Sequence, residues 1–198
     1  LGLMHNWYKG VLQHHFRYRW GINGRKEKED QYGEEEELEN NSWTSDASDS
    51  TDTNPHFLSE NKIKDLLKLI SDVVVPTGIT PMPRGLGTAK NGKLKASKWY
   101  SLFEFQLPLT YINLLLKSTD IDHGLVKHKH ELENICSLIA CTHIVSTKSV
   151  TEAKCRQFSE QYSSYTTTSS LIFPDSRILP NHHYALHIPD QLRWWGPL

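Results

Sequence analysis

Apolar side chains recur at spacings of three and four along most of this chain, and that period constrains the fold more than any other feature. Leu3, Met4, Trp7, Tyr8, Val11, Leu12, Phe16 and Trp20 fall on one stripe of a helix. The pair Asn23-Gly24 closes the stripe. Gln13, His14, Arg17 and Arg19 take the other side, so the spacing predicts an amphipathic, docked helix whose His14 and His15 are surface polar residues.

The same period returns further on. Ser59 is the expected N-cap of a short helix with Glu60 in its first turn and Ile63, Leu66, Leu67, Ile70 and Val74 on one side. Ser97 is the expected N-cap of a segment from Trp99 to Leu116 that is apolar nearly all round, which predicts a buried helix pair broken or kinked at Pro108. Asp120 or Asp122 would cap the next helix, with Leu125, Leu132, Ile135, Leu138, Ile139 and Thr142 on one side to about Val145. Ser149-Val150-Thr151-Glu152 has the form of a reciprocal capping box and opens a helix through Ala153, Phe158 and Tyr162. Thr166 to Ser170 is expected to be a loop, and Leu171-Ile172-Phe173 a brief strand or extended piece. Pro76 to Gly92 holds three prolines and four glycines and is expected to be an extended connector.

One tract breaks the pattern. From Arg25 to about Phe57 the chain carries Glu34-Glu35-Glu36-Glu37 and then a run of Ser, Thr and Asp, with too little apolar surface to offset the entropy of ordering. It is expected to be a disordered acidic linker. Composition adds bounds: 198 residues at 37% hydrophobic content suit one ordinary core, and the net charge of -1 hides acids crowded into Glu27–Glu60 and bases elsewhere, so it names no partner class. Cys136, Cys141 and Cys155 suit a reducing compartment, and neither a signal segment nor an apolar run of about 18 residues appears, so an intracellular protein without a membrane partner is expected. The chain begins at Leu1 and stops at Gly196-Pro197-Leu198, from which a piece of a longer protein is expected.

Pro180-Asn181-His182-His183-Tyr184-Ala185-Leu186-His187-Ile188-Pro189 concentrates three histidines. Asn181 is the expected N-cap and Pro189 the stop; His183 and His187 would share one face and His182 and Leu186 the next. Two cysteines five apart, Cys136 and Cys141, match the spacing of His182 and His187, and four such ligands suffice for tetrahedral zinc. The competing account, and the default, is packing, because positions five apart on a helix diverge by about 140° and buried free cysteines are common.

Three blocks in order resemble one family. Leu3-Met4-His5-Asn6-Trp7-Tyr8-Lys9-Gly10-Val11-Leu12-Gln13-His14-His15 looks like the "D-x-x-H-N … G" block of CACTA (En/Spm-like) DNA transposases of fungal type; Lys95-Ala96-Ser97-Lys98-Trp99 is similar to their "K-A-S/H-E-W" block; Pro180 to His187 with Trp195-Gly196-Pro197-Leu198 resembles their "N-x-H-x-L-x-H … G-P-L" block. The resemblance implies a DDE-type catalytic domain, RNase H-like, in which carboxylates hold two divalent cations for attack on phosphodiesters. Its departures matter. The expected upstream aspartates precede the first block, Gly2 stands where the family often has Asp or Cys, and the last carboxylate is expected beyond Leu198.

The expectation is therefore a mainly α chain: residues 1–22 a helix of the RNase H-like core, 23–58 the acidic linker, 59–175 a helical insertion and 176–198 the histidine-rich end. It is expected to be inactive alone, with Mg²⁺ belonging to an intact parent transposase and structural zinc the one cofactor candidate. Expected partners are DNA and other transposase segments, in the nucleus. Related recombinases carry a zinc with a similar pair-plus-pair arrangement, which favours Cys136, Cys141, His182 and His187. DNA contacts are expected from His5, Lys93, Lys95 and Lys98, with Trp99 stacking on a base; core packing for His5 and solvation for the lysines are the plainer accounts. The alternative is a helical scaffold derived from such a gene, binding nucleic acid or protein.

Overall fold

In the computed structural model residues 2–22, 58–83, 85–88, 94–116 and 129–196 are described. The acidic tract 25–57, Lys93, and the Asp120 or Asp122 cap with Leu125 lie outside the described residues. The described residues are mainly α-helical and contain no strand, and none of their helices is long and apolar enough to cross a membrane.

Helix α1 joins two wide-turned segments, His5–Leu12 and His15–Arg19, through helical Gln13 and His14. Its end shows the widening directly, since the Trp20 N–H bonds the carbonyl of His15, five residues back, at 3.1 Å. A wide turn adds about one residue, or about 100° of face, to the helix. The wide turns keep Phe16 and Trp20 on the buried face with Trp7, Tyr8, Val11 and Leu12, and His14 and His15 are buried there too, against the surface placement expected for them.

Helix α2, Glu60–Asp72, begins as its sequence indicates, with the Lys62 N–H donating to the Ser59 hydroxyl at 3.4 Å and Leu66 and Ile70 turned into the core. The connector behind it holds no helix or strand over its described part, yet Met82 and Leu86 are buried. Helix α3 runs unbroken through Ala96–Ser101, Leu102–Gln106 and Leu107–Leu116. Pro108 does not split it. The turn just before the proline is widened so that the Leu107 N–H reaches the Leu102 carbonyl, and the Thr110 hydroxyl donates to the Gln106 carbonyl at 2.9 Å. Ser97 is not the cap either: Lys95 occupies that position, and its carbonyl accepts from the Lys98 and Trp99 N–H groups.

Helices α4, Lys129–Val145, and α5, Glu152–Ile172, pack antiparallel, for Asn134 meets Thr168 and Ser169 while Cys141 meets Phe158. Thr151 caps α5 by accepting from the Lys154 N–H at 3.3 Å. Ser149 instead accepts from the Lys154 ammonium, and Glu152 pairs with Arg193, so the expected Ser149–Glu152 box does not form. The expected Thr166–Ser170 loop and Leu171–Phe173 strand are replaced by two further turns of α5. There the hydroxyls of Thr166, Thr168 and Ser170 donate to carbonyls three or four residues back, which spares them from competing for other partners.

The histidine-rich end forms two helices, α6, Pro180–Ala185, and α7, Ile188–Trp195. Leu179, not Asn181, is the N-cap of α6, and Pro189 opens α7 instead of ending a helix, because a proline in the first turn forfeits no helical hydrogen bond.

These helices enclose α1. Trp7 donates to Thr142 of α4 at 3.1 Å, Tyr8 meets Tyr100 and Phe16 meets Trp99 of α3, and the Trp20 and Tyr111 rings stack with centroids 5.6 Å apart. On its remaining side α6 crosses closely at Gly10. A Cβ built there would lie 2.6 Å from Asn181 Cγ and 2.8 Å from Asn181 Cβ, while the Asn181 amide donates to Asn6 Oδ1 at 3.1 Å. Gly10→Ala is therefore expected to destabilise the protein by about 1–3 kcal/mol, with Asn181→Gly recovering part of the loss in the double variant. Urea denaturation of the four-member cycle checks the coupling, and strictly additive effects would refute the close approach.

Candidate functional site

The largest concentration of buried polar chemistry lies where α1, α5 and α6 meet. The chain His14–His182–Tyr162 links all three. The Tyr162 hydroxyl donates to the His182 carbonyl at 2.8 Å, which leaves its oxygen to accept from His182 Nδ1–H at 3.3 Å. His182 Nε2 is then unprotonated and accepts from His14 Nδ1–H at 3.0 Å. One neutral tautomer of each ring satisfies every link.

A second branch centres on Tyr165. Arg19 Nη1 donates to the Tyr165 oxygen at 2.6 Å and to Ser169 Oγ at 2.7 Å, and its guanidinium lies over the rings of Tyr165 and Phe173, 5.2 and 5.7 Å from their centroids. His15 Nδ1 sits 3.2 Å from the same Tyr165 oxygen. From α4, the Asn134 amide supplies the Tyr165 carbonyl, Thr168 and Ser169 at 2.8 to 3.0 Å. Tyr162 and Tyr165, three apart on α5, thus carry the two branches side by side.

Burial sets the electrostatics. It pushes His14 down to about 4 and His182 to about 3, and His15 well below the usual histidine range, with the Arg19 charge adding to each shift. Burial raises Tyr165 to about 12 against the opposing pull of Arg19, and it raises Tyr162 too. Three neutral imidazoles therefore surround one guanidinium that no carboxylate among the described residues neutralises. Such an arrangement orients and locks helices. The partners that would polarise a substrate are already bonded to one another.

The residues singled out from sequence are dispersed. Cys136 is exposed, Cys141 is buried with its thiol donating to the Phe158 carbonyl at 3.8 Å, His182 belongs to the network, and His187 is exposed with its ring against His183. Among the described residues no three His, Cys, Asp or Glu side chains converge as metal ligands, so the proposed Cys136, Cys141, His182 and His187 set is not brought together. The regular turn of α4 separates its two cysteines, as the 140° geometry requires. His183 and His187 do share a face. His5 and Lys95 are exposed, Lys98 donates to the Pro81 carbonyl at 2.7 Å, and Lys93 lies outside the described residues. Trp99 is 1% exposed and packed on Phe16, so its ring offers no face to a base. Sequence reasoning passed over Arg19, Tyr162, Tyr165 and Asn134. The one available signal was the adjacent pair His14-His15 directly before Phe16, inside an apolar stripe.

Two outcomes are expected. A histidine whose folded pKa lies below the free value of 6.5 stabilises the fold above that pH, and the contribution is lost as pH falls toward 4, because the unfolded chain takes up the proton first. Unfolding free energies from urea denaturation should hold above neutrality and drop by pH 5 by on the order of 2 kcal/mol per buried histidine, and replacing His14 and His182 by Asn should flatten that profile. Separately, Tyr165→Phe should cost about 1–3 kcal/mol by leaving Arg19 and His15 without the hydroxyl they share, whereas zinc or a chelator should not move the midpoint.

No family model matches the chain, and neither a curated protein sequence nor a solved structure is significantly similar to it.

Proposed function

We propose that this chain is part of a CACTA-like DNA transposase, in which it supplies a helical scaffold and does not cut DNA by itself. One observation carries the reading: the three blocks that resemble the family, far apart in sequence, meet around α1. Asn6 of the first block bonds Asn181 of the last, His14 bonds His182, and Phe16, just after the first block, packs on Trp99 of the middle one. Motifs that recur together because they pack together are expected to meet in this way. The residues that meet there, Asn6, His14, Phe16, Trp99 and His182, are buried, which supports a role in holding helices in register.

Two-metal phosphoryl transfer needs converging carboxylates. In this reading they come from outside the described residues, where the family has its aspartates, ahead of the first block and beyond Leu198. The finer RNase H-like assignment, the nuclear location and the DNA partner belong to the same proposal. Contacts with DNA would be electrostatic, through exposed groups such as Lys95 and His5.

A second reading, a helical scaffold that binds a protein, is favoured by Trp194 and Trp195, which are 73% and 75% exposed on α7. Plasmid nicking and strand-transfer assays with Mg²⁺ or Mn²⁺ test the first reading. No cleavage above buffer is expected, together with salt-dependent DNA binding whose log–log slope falls by about 1 in Lys95→Ala. Robust cleavage would overturn the claim of inactivity; absence of DNA binding at low salt would favour the second reading.

A further inference from the structure

Away from the network, α3 and α4 leave a groove of about 400 Å³ between them, within the usual range for small-molecule sites. It follows α4 from Leu132 to His143, a rise of about 16 Å, and its walls are mostly apolar: Pro108 and Ile112 of α3 face Leu132, Ile135 and Ile139 of α4. Two charged groups with spoken-for or open bonding capacity decide what fits it.

Glu104 stands in the wall with its side chain 9% exposed. Oε1 accepts from His143 Nδ1 at 2.6 Å. Oε2 has only the Ser146 hydroxyl at 3.5 Å, and that hydroxyl's single proton is better placed toward the His143 carbonyl at 3.0 Å. One oxygen of a nearly buried carboxylate thus keeps acceptor capacity beside an apolar channel. Lys154, the other charged side chain in the lining, is spent: its ammonium donates to Thr147 Oγ1 at 2.6 Å, the Ser149 carbonyl at 2.9 Å and Ser149 Oγ at 3.1 Å. Of these two charged side chains, Glu104 keeps open capacity as an anionic acceptor and Lys154 keeps none as a donor.

We propose that this groove binds a small elongated apolar cation, an alkyl- or arylalkylammonium, whose N–H bonds Glu104 Oε2 while its hydrocarbon lies between α3 and α4. The proposal is independent of the transposase reading. Isothermal titration with three isosteric probes tests it: phenylbutylammonium, neutral phenylbutanol and anionic phenylvalerate. The ammonium is expected to bind at least about ten-fold more tightly than the alcohol, and the carboxylate more weakly than both. Glu104→Gln should remove the ammonium's advantage and leave alcohol binding intact. Ala140→Phe, which adds bulk to the groove wall without touching the Glu104–His143 pair, should abolish binding of ammonium and alcohol alike and stands as the control should Glu104→Gln fail to fold. Equal affinities for ammonium and alcohol, preference for the carboxylate, no binding of any probe, or ammonium binding that survives Ala140→Phe would each overturn the proposal.

Discussion

The crossing of α1 and α6 at Gly10 is the contact on which the rest of the structure depends. It joins residues some 170 positions apart, the separation of His14 and His182, across a loop whose closure entropy must be offset by what the contact gains. Without a side chain at Gly10, α6 approaches near enough for Asn181 to bond Asn6 and for His182 to enter hydrogen-bonding range of His14. A larger residue there would hold α6 away and part His182 from His14. The backbone approach and the polar network are therefore one device.

That network couples elements that apolar packing alone would leave free to slide. Leucine and isoleucine contacts tolerate small shifts of register; a chain of directed bonds through His14, His182 and Tyr162, or through Arg19, Tyr165 and Asn134, does not. Its satisfaction is nearly complete. His15 Nε2 and Arg19 Nε are left without a bonding partner, and the His15 ring, whose centroid is 5.1 Å from that of Trp20 and 5.9 Å from that of Phe173, is surrounded by aromatic faces and edges. Trp99 Nε1 is likewise buried without an acceptor. These unpaired groups lie beside the ring contacts of Trp20 on Tyr111 and Phe16 on Trp99.

Where helices form was legible because apolar spacing and caps act locally. Ser59 caps α2 and Thr151, inside the suspected box, caps α5. Local signals misled where a residue had a second use for its side chain. Thr166, Thr168 and Ser170 look like loop residues, yet each turns its hydroxyl back on the helix and α5 continues. Pro189 looks like a stop and serves as a start. Asn181 looks like a cap and reaches across to Asn6. The proposed zinc set rested on matched spacings, and spacing along one helix does not bring its residues toward ligands on another.

The sequence by itself determined that the described residues are mainly helical and marked most of the apolar residues they bury, because both follow from the 3.6-residue period and from transfer free energy; Val74, which lies beyond the end of α2, and Leu109 and Ile112 of α3 were expected on buried faces and are 93%, 63% and 52% exposed. The tertiary structure alone decided which polar residues are inside. His14 and His15 carry the same local signal whether they face water or core; only the arrival of Tyr165 and of the Tyr162–His182 pair from distant helices gives them partners and makes their burial affordable. A buried imidazole depends on what surrounds it, and those surroundings are assembled from four separated stretches of chain, α1, α4, α5 and α6.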